Sequence, residues 1–313
     1  DSVQKIGGFP LKSSGGIWNM FSNFEFIGPF KASGDVTTLL CRGGTDTVGD
    51  GDFGYLFSGC ESLKSAPDLL ATNLKSGSYH HMFQGSGIEE PPLVVTGTTL
   101  PSGCCMFMFQ NCAKLKWAPA LPATTLAESC YQYMFWGCTS LKTPPALPAT
   151  TLASGCYSGM FSDCSALKSA PLLPATRLAE GCYASLFSGC VGITNVTLMA
   201  LGRTDGRVSR DLENWLYHVG VQGVLTCPKS LDIDLDSVSG VPPDWTREDI
   251  ALPSPISGVE PAYDFVAGVQ IEPIVPTVAE GWAVKVTGLP AGLKYAAATG
   301  VTGTPTAKPI TQT

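Results

Sequence analysis

Six phenylalanines, Phe57, Phe83, Phe109, Phe135, Phe161 and Phe187, stand 26 residues apart. Leu74, Leu100, Leu126, Leu152 and Leu178 keep the same step. So do Cys112, Cys138, Cys164 and Cys190, with Cys60 two steps before Cys112. A second cysteine column runs Cys104, Cys130, Cys156, Cys182. Columns that share one period define an array whose units are each too small to bury their apolar face alone. Leucine-rich repeats have periods of roughly 20–29 residues, so the expected fold is an α+β leucine-rich-repeat solenoid of six copies. About five apolar side chains per repeat, worth roughly 1.5–3 kcal/mol each when buried, work against the entropy of ordering the backbone. Stability then belongs to the array, and its ends need caps.

The clearest unit runs from Met134 to Leu152. Leu141 to Leu147 contains Pro144 and Pro145, which exclude a helix interior and remove ladder donors, so a short, irregular strand is expected there. Leu152 to Cys164 lacks proline and brings Tyr157, Met160, Phe161 and Cys164 together at three- and four-residue spacing, which predicts one or two helical turns on the opposite side. The second repeat departs from the pattern. Ser86 takes the Cys slot, Glu89 the Leu slot, and Ile88 lies one position early. A one-residue slip that seats Ile88 in the Leu pocket is one reading; a weakly packed rung is the other.

The flanks divide as follows. Residues 1–55 are Gly- and aromatic-rich and read as an N-terminal cap, 56–194 as the solenoid, and 195–250 as a C-terminal cap. Within the last, Asp211–His218 is a short amphipathic helix candidate, and Gly223–Pro228 and Asp232–Asp236 are strand candidates. Leu252-Pro-Ser-Pro255 reads as a linker. The apolar β-type runs Val269–Val275 and Trp282–Val286, with Gly/Pro turns around them, make 251–313 an all-β sandwich.

The net charge is −7 with no basic stripe, which argues against nucleic acid. Between Leu56 and Thr194 seven Lys/Arg balance seven Asp/Glu, so the repeats are neutral and their exterior is Ser, Thr, Gly and Ala. No segment approaches the ~20 apolar residues of a membrane helix. The chain opens at Asp1 without Met, as a mature or trimmed product would.

Twelve cysteines invite a metal or disulfide reading, but there is no Cys-x-x-Cys, and His80, His81 and His218 are not set for zinc. Cys130 and Cys138 are eight apart, about 12 Å along a helix and too far for a bridge. Stacked cysteines keep a spacing of about 4.8 Å, wider than a disulfide's Cβ separation of about 3.8 Å. Both columns are therefore read as packing thiols. Cys41, Cys105 and Cys227 lie outside the ladders, and a cap disulfide involving one of them stays open. Asp50 and Asp52 with Asp46, and Asp232, Asp234 and Asp236, open like calcium loops but lack the distal Glu. Neither a metal nor a cofactor is expected.

No nucleophile–base or paired-acid pattern is visible, so no catalytic residue is assigned and a non-enzymatic role is expected. Two surface features remain. Lys64, Lys116, Lys142 and Lys168 share one column, each following a column Leu and pointing outward, with Glu90 interrupting the column in the irregular repeat; they form an anionic ligand site or are charges that keep a sheet surface from unwanted pairing. Trp117 and Trp136 are singular in their columns, and Tyr133 aligns with Tyr55, His81 and Phe107. Aromatics at variable slots suit a recognition patch or are isolated exposed side chains.

Phe135-Trp-Gly-Cys138-Thr-Ser-Leu141 followed by Leu147-Pro148 resembles the signature of the BspA-like leucine-rich-repeat surface proteins of bacteria, in a longer-period form that adds Cys130-Tyr131, Cys156-Tyr157 and Cys182-Tyr183. Gly288-Leu-Pro-Ala-Gly-Leu293 and Ala298-Thr-Gly-Val-Thr-Gly-Thr-Pro305 resemble the immunoglobulin-like domain of bacterial surface proteins. That domain is either incomplete here or continues past Thr313. The resemblance implies export, display on the cell surface as an outer-membrane lipoprotein or a secreted protein, and adhesion. The implied partner is a host or matrix protein. A glycan is the alternative ligand, a structural spacer the third reading, and the expected state is a monomer.

Overall fold

The computed structural model describes residues 49–94, 97–203, 210–231, 233 and 241–250, with strand residues 30–31, 256–257, 277–278, 293–296 and 300–303. The chain divides into two compact units, Asp1–Ile250 and Ala251–Thr313. The first is strand- and turn-rich and carries the aromatic and cysteine columns. Among the described residues helix is confined to one 3-10 turn, Arg210–Leu212, and no barrel closes.

The segment expected to be helical is a ribbon of consecutive turns. In the first described rung the N–H groups of Gly51, Phe53, Tyr55, Phe57 and Gly59 donate to the carbonyls of Ser76, Ser78, His80, Met82 and Gln84 on the next rung. The residues between them, Asp52, Gly54, Leu56, Ser58 and Cys60, donate three residues back within their own rung. Half of the donors hold the turns and half stitch neighbouring rungs, so each backbone N–H of the ribbon is satisfied without a helix. The register repeats through Gly77–Gly85, Gly103–Asn111, Ser129–Gly137 and Gly155–Asp163. Every fourth residue has positive φ, as at Gly51, Tyr55 and Gly59 or Gly155, Gly159 and Asp163. Alternate turns thus carry the left-handed third residue of type II. The three- and four-residue spacing of Tyr157, Met160, Phe161 and Cys164 is common to a helix and to this four-residue ribbon, which corrects the α part of the expected α+β class.

Opposite the ribbon the chain forms minimal parallel pairings, Thr99–Leu100 with Thr125–Leu126 and Arg177–Leu178 with Gly202–Arg203, plus the bridge Trp117↔Thr143. The prolines keep these short. Inside lie the columns: the six phenylalanines stack at 5.4–5.7 Å between centroids, all nearly parallel. Tyr131, Tyr157 and Tyr183 form a second file, and Leu63, Ile88, Leu115, Leu141 and Leu167 a third, all buried.

Three details depend on register. Ile88 is fully buried in the Leu column, so the slip at the second repeat is real and the rung is packed. Cys105 is not outside the ladders: it takes the Tyr slot between Tyr79 and Tyr131 and is buried. The ribbon also continues past Cys190. Tyr183, Ser185, Phe187 and Gly189 donate to the carbonyls of Asp211, Glu213, Trp215 and Tyr217, and Asn214 and His218 have positive φ. Asp211–His218 is thus a seventh rung after a three-residue insertion, not the expected amphipathic helix. Asp211, Leu212, Trp215, Leu216 and Val219 fill the column positions, all buried.

Beyond it Asn195–Thr197, Gly223–Pro228 and Trp245–Ile250 form a parallel three-stranded sheet. Of the N-terminal segment expected to be a cap, Phe30–Lys31 pairs with Leu63–Ser65. In the second unit Ile256–Ser257 pairs antiparallel with Thr277–Val278, and Leu293–Ala296 with Gly300–Gly303. Asp232, Asp234, Asp236, Val269–Val275, Trp282–Val286 and Cys41 lie outside the described residues.

Candidate functional site

The cysteines come first, because twelve thiols are the strongest invitation to chemistry in the chain. All eleven described cysteines are free and buried. Cys112, Cys138, Cys164 and Cys190 each donate a thiol hydrogen bond, at 3.0, 3.1, 3.1 and 2.9 Å, to the carbonyl of a column phenylalanine one rung back. This explains the column: a small side chain with a weak donor fits beside a carbonyl in an apolar core. The second cysteine column begins as Asp52 and Ser78, which accept the N–H groups of Gly49 and Lys75 at 2.5 and 2.8 Å. Cys104 and Cys105 share a thiol–thiol hydrogen bond at 3.6 Å between sulfurs and form no disulfide. Burial pushes the thiols of Cys112, Cys156 and Cys190 up to about 12. A thiol so raised and enclosed is inert. In the folded protein none of the eleven should react with Ellman's reagent, whereas all twelve cysteines of the chain should react in denaturant. Native labelling at any described position would contradict this packing.

Among the described residues no three His, Cys, Asp or Glu side chains cluster to hold a metal ion. Asp52 is turned inward onto its own turn, and Asp46 lies outside the described residues.

The lysine file is not a uniform basic stripe. Because of the slip, Glu89 and not Glu90 occupies it: the Glu89 N–H donates to Lys64 O, and Lys116 N–H to Glu89 O. Its carboxylate oxygens meet Lys64 Nζ at 2.6 Å and Lys116 Nζ at 2.9 Å. Hydrogen bonds from these two lysines hold the Glu89 carboxyl down at about 2. Exposed pairs such as these add little stability in water, but they occupy half of the file. Lys142 and Lys168 carry no carboxylate partner among the described residues and stay exposed.

The aromatics fall into two groups. Trp117 is 44% exposed on the strand side, bridged to Thr143, with no ring stacked on it among the described residues. Trp136 and Tyr133 belong to the ribbon and touch, with centroids 5.4 Å apart. Trp136 Nε1 donates to Asp163 Oδ2 at 2.9 Å. The structure therefore joins Tyr133 to Trp136 and leaves Trp117 on another segment of the rung.

Tyr133 is the end of a longer file. Tyr55, His81, Phe107 and Tyr133 stack at 4.4, 4.5 and 5.0 Å, within 14° of parallel, on the outer face of the ribbon. All four are half-buried, and all four have φ between 54° and 57°. The next rung places Gly159 in that slot, where a Cβ would meet the Tyr133 ring. Beside the file, His80 packs edge-on against Tyr55 at 5.2 Å, and Gln84 Nε2 donates to Gln110 Oε1 at 2.6 Å. The sequence held the signal, a constant 26-residue step between four ring-bearing residues. It did not say which way a turn ribbon faces them.

Desolvation lowers the pKa of His81, with a smaller push in the same direction from His80, against a hydrogen bond to Gln84 that raises it. His81 therefore stays neutral in the folded chain at pH values where the unfolded chain takes up a proton. Its contribution to stability is complete above the unfolded value of about 6.5 and is lost as pH falls toward the lower folded value. Thermal unfolding followed from about pH 8 to about pH 5 should show that loss, and His81→Asn should flatten it. An identical pH slope in the variant would exclude His81 as its source.

No family model matches the chain, and neither a curated protein nor a solved structure matches it significantly.

Proposed function

We propose that this chain is a non-enzymatic binding protein of a bacterial surface, exported as a lipoprotein or secreted. In this reading its first unit is a leucine-rich-repeat solenoid with a BspA-like signature, its second an immunoglobulin-like spacer, and its role adhesion or host-protein interaction through the repeat surface. One observation carries the binding role. The ribbon holds Tyr55, His81, Phe107 and Tyr133 half-exposed at left-handed positions, where a non-glycine residue costs roughly 1–2 kcal/mol. Core packing does not ask for those rings, since later rungs fill the same slot with Gly159 and Ser185. Chemistry built on the cysteines is disfavoured, because the described thiols are sequestered.

A second reading, capture of a glycan, is favoured by one contact: an indole tilted over Tyr133 with its N–H on the Asp163 carboxylate. Aromatic faces beside carboxylates and amides suit sugars, which present both C–H faces and hydroxyls.

The test is a screen of the full chain against a glycan array and a panel of immobilised matrix proteins. Trp117→Ala/Trp136→Ala and Lys142→Glu/Lys168→Glu variants are run beside it. A matrix-protein signal supports adhesion. A glycan signal lost with the tryptophans supports capture instead. Silence on both formats overturns a binding role, and turnover of any panel member overturns the non-enzymatic one.

A further inference from the structure

Resting on the binding role above, we propose that the recognition surface is the outer face of the turn ribbon over its first four described rungs. It is centred on Tyr55, His81, Phe107, Tyr133 and Trp136, and its partner is a basic polypeptide that brings apolar side chains to the rings. Three observations lead there. First, the charges of the repeats are unevenly shared between the faces, with the ribbon net acidic and the strand side net basic. On the first four rungs of the ribbon and their exit turns lie the exposed Asp50, Glu61 and Glu128 against Lys75 and Lys114, and the next two rungs add the exposed Asp163 and Glu180 at the far rim. The strand side carries Lys64, Lys116, Lys142, Lys168 and Arg177 against Asp68, Glu89 and Glu90. Second, among the described residues the centre of the ribbon face carries no ammonium group, and the one carboxylate that reaches it, Asp163, is held by the Trp136 N–H. That centre holds the four rings, Trp136, half-buried Met106, and the Gln84–Gln110 amide pair. Aromatic and Met enrichment with charge kept to the rim is the make-up of a protein–protein interface. Third, His81 and Phe107 are stacked on both faces, and Tyr133 has Phe107 on one face and Gly159 against its ring, so these rings offer a partner their edges. A sugar needs an open face; an apolar side chain packs against edges. The acidic rim then selects basic neighbours and speeds encounter.

The test uses the full chain in biolayer interferometry with three probes: an alternating arginine–leucine peptide, its glutamate–leucine counterpart, and dextran. The arginine–leucine peptide should bind at least about tenfold more tightly than the other two, roughly 1.4 kcal/mol. His81→Asn/Phe107→Asn keeps every acid and places at φ > 0 a residue that tolerates it; it should weaken that binding about tenfold. Lys142→Glu/Lys168→Glu should leave it unweakened. If the aromatic variant does not fold, Asp50→Asn/Glu128→Gln, which leaves the rings in place, should weaken binding several-fold. Undiminished binding in the aromatic variant would reduce the attraction to bare charge and overturn the site. Dextran binding that depends on Phe107 would overturn the partner class. Loss in the lysine variant alone would move recognition to the strand face and overturn this surface while leaving the general binding role standing. If the arginine–leucine peptide does not bind, the inference falls, and the panel of matrix proteins and glycans then decides separately whether the binding role falls with it.

Discussion

Phe109→Ala should lower the unfolding free energy by about 3–5 kcal/mol, read from urea denaturation of the full chain. Phe109 is fully buried, stacked on Phe83 at 5.4 Å and on Phe135 at 5.5 Å. Its carbonyl also accepts the thiol of Cys138 at 3.1 Å. Truncation leaves a cavity between two parallel rings that cannot close without shifting rungs whose backbones are hydrogen-bonded to each other. In an array each rung is stabilised by its two neighbours, so damage at a central rung weakens both interfaces. Phe107 supplies the control. It lies two residues away on the same rung and also stacks on both sides, but it stands on the outer face, half-buried. Phe107→Ala should cost no more than about 1.5 kcal/mol, the order of a single aromatic contact. Equal losses at the two positions would mean that the outer file is core.

Gly87→Ala should lower the unfolding free energy by about 2–4 kcal/mol, the range of overpacking joined to a lost backbone bond. The reason lies in the slip. From the Cys slot to the Leu slot most rungs use two intervening residues, as Ala113-Lys114 between Cys112 and Leu115, but the second rung has Gly87 alone between Ser86 and Ile88. The shortened corner draws the backbone in, with Gly87 N–H on Cys60 O at 3.0 Å. A Cβ at Gly87 would stand 1.8 Å from Glu61 O and 2.7 Å from Glu61 C, both backbone atoms that cannot swing away. Gly103→Ala separates this steric effect from backbone strain. Gly103 has φ +59 and open space around its missing Cβ, so alanine there should cost only about 1–2 kcal/mol. If Gly87→Ala unfolds at the same denaturant concentration as Gly103→Ala, the close approach at the slip is not real.

The columns were legible in the sequence because stacking forces one residue type per slot. The 26-residue step located the Phe, Leu and Cys files, and the early Ile88 located the slip. Backbone conformation was harder to read. Apolar pairs such as Cys156-Tyr157 and Met160-Phe161, four apart, satisfy a helical spacing as well as a four-residue turn ribbon. The discriminating signal was the glycines eight or four residues apart, Gly51 and Gly59, Gly77 and Gly85, Gly155 and Gly159, because repeated glycines are costly inside a helix and natural at positive φ. The seventh rung escaped notice because its insertion breaks the period and because Asp211, Leu212, Trp215, Leu216 and Val219 replace Cys, Tyr, Met or Leu, Phe and Cys. Glu89 was misplaced for the same kind of reason: a constant period puts Glu90 in the lysine file, and the slip displaces it by one. Trp136 and Tyr133 were found by rarity and alignment. Their union with His81 and Phe107 needed the direction in which a turn ribbon points its left-handed residues, which periodicity does not encode.

Amide hydrogen exchange read by NMR tests the continuous ribbon most directly, because the ribbon and a helix protect different amides at its far end. In the ribbon, the N–H groups of Tyr183, Ser185, Phe187 and Gly189 are held by the carbonyls of Asp211, Glu213, Trp215 and Tyr217. These four amides should exchange as slowly as Tyr131, Tyr133, Phe135 and Gly137 at the centre of the stack. A helix over 211–218 would leave them free and would instead protect the amides of Trp215, Leu216, Tyr217 and His218 as a consecutive run. Slow exchange at the first set establishes seven rungs in one register; slow exchange confined to the second would contradict the ribbon and the recognition face built on it.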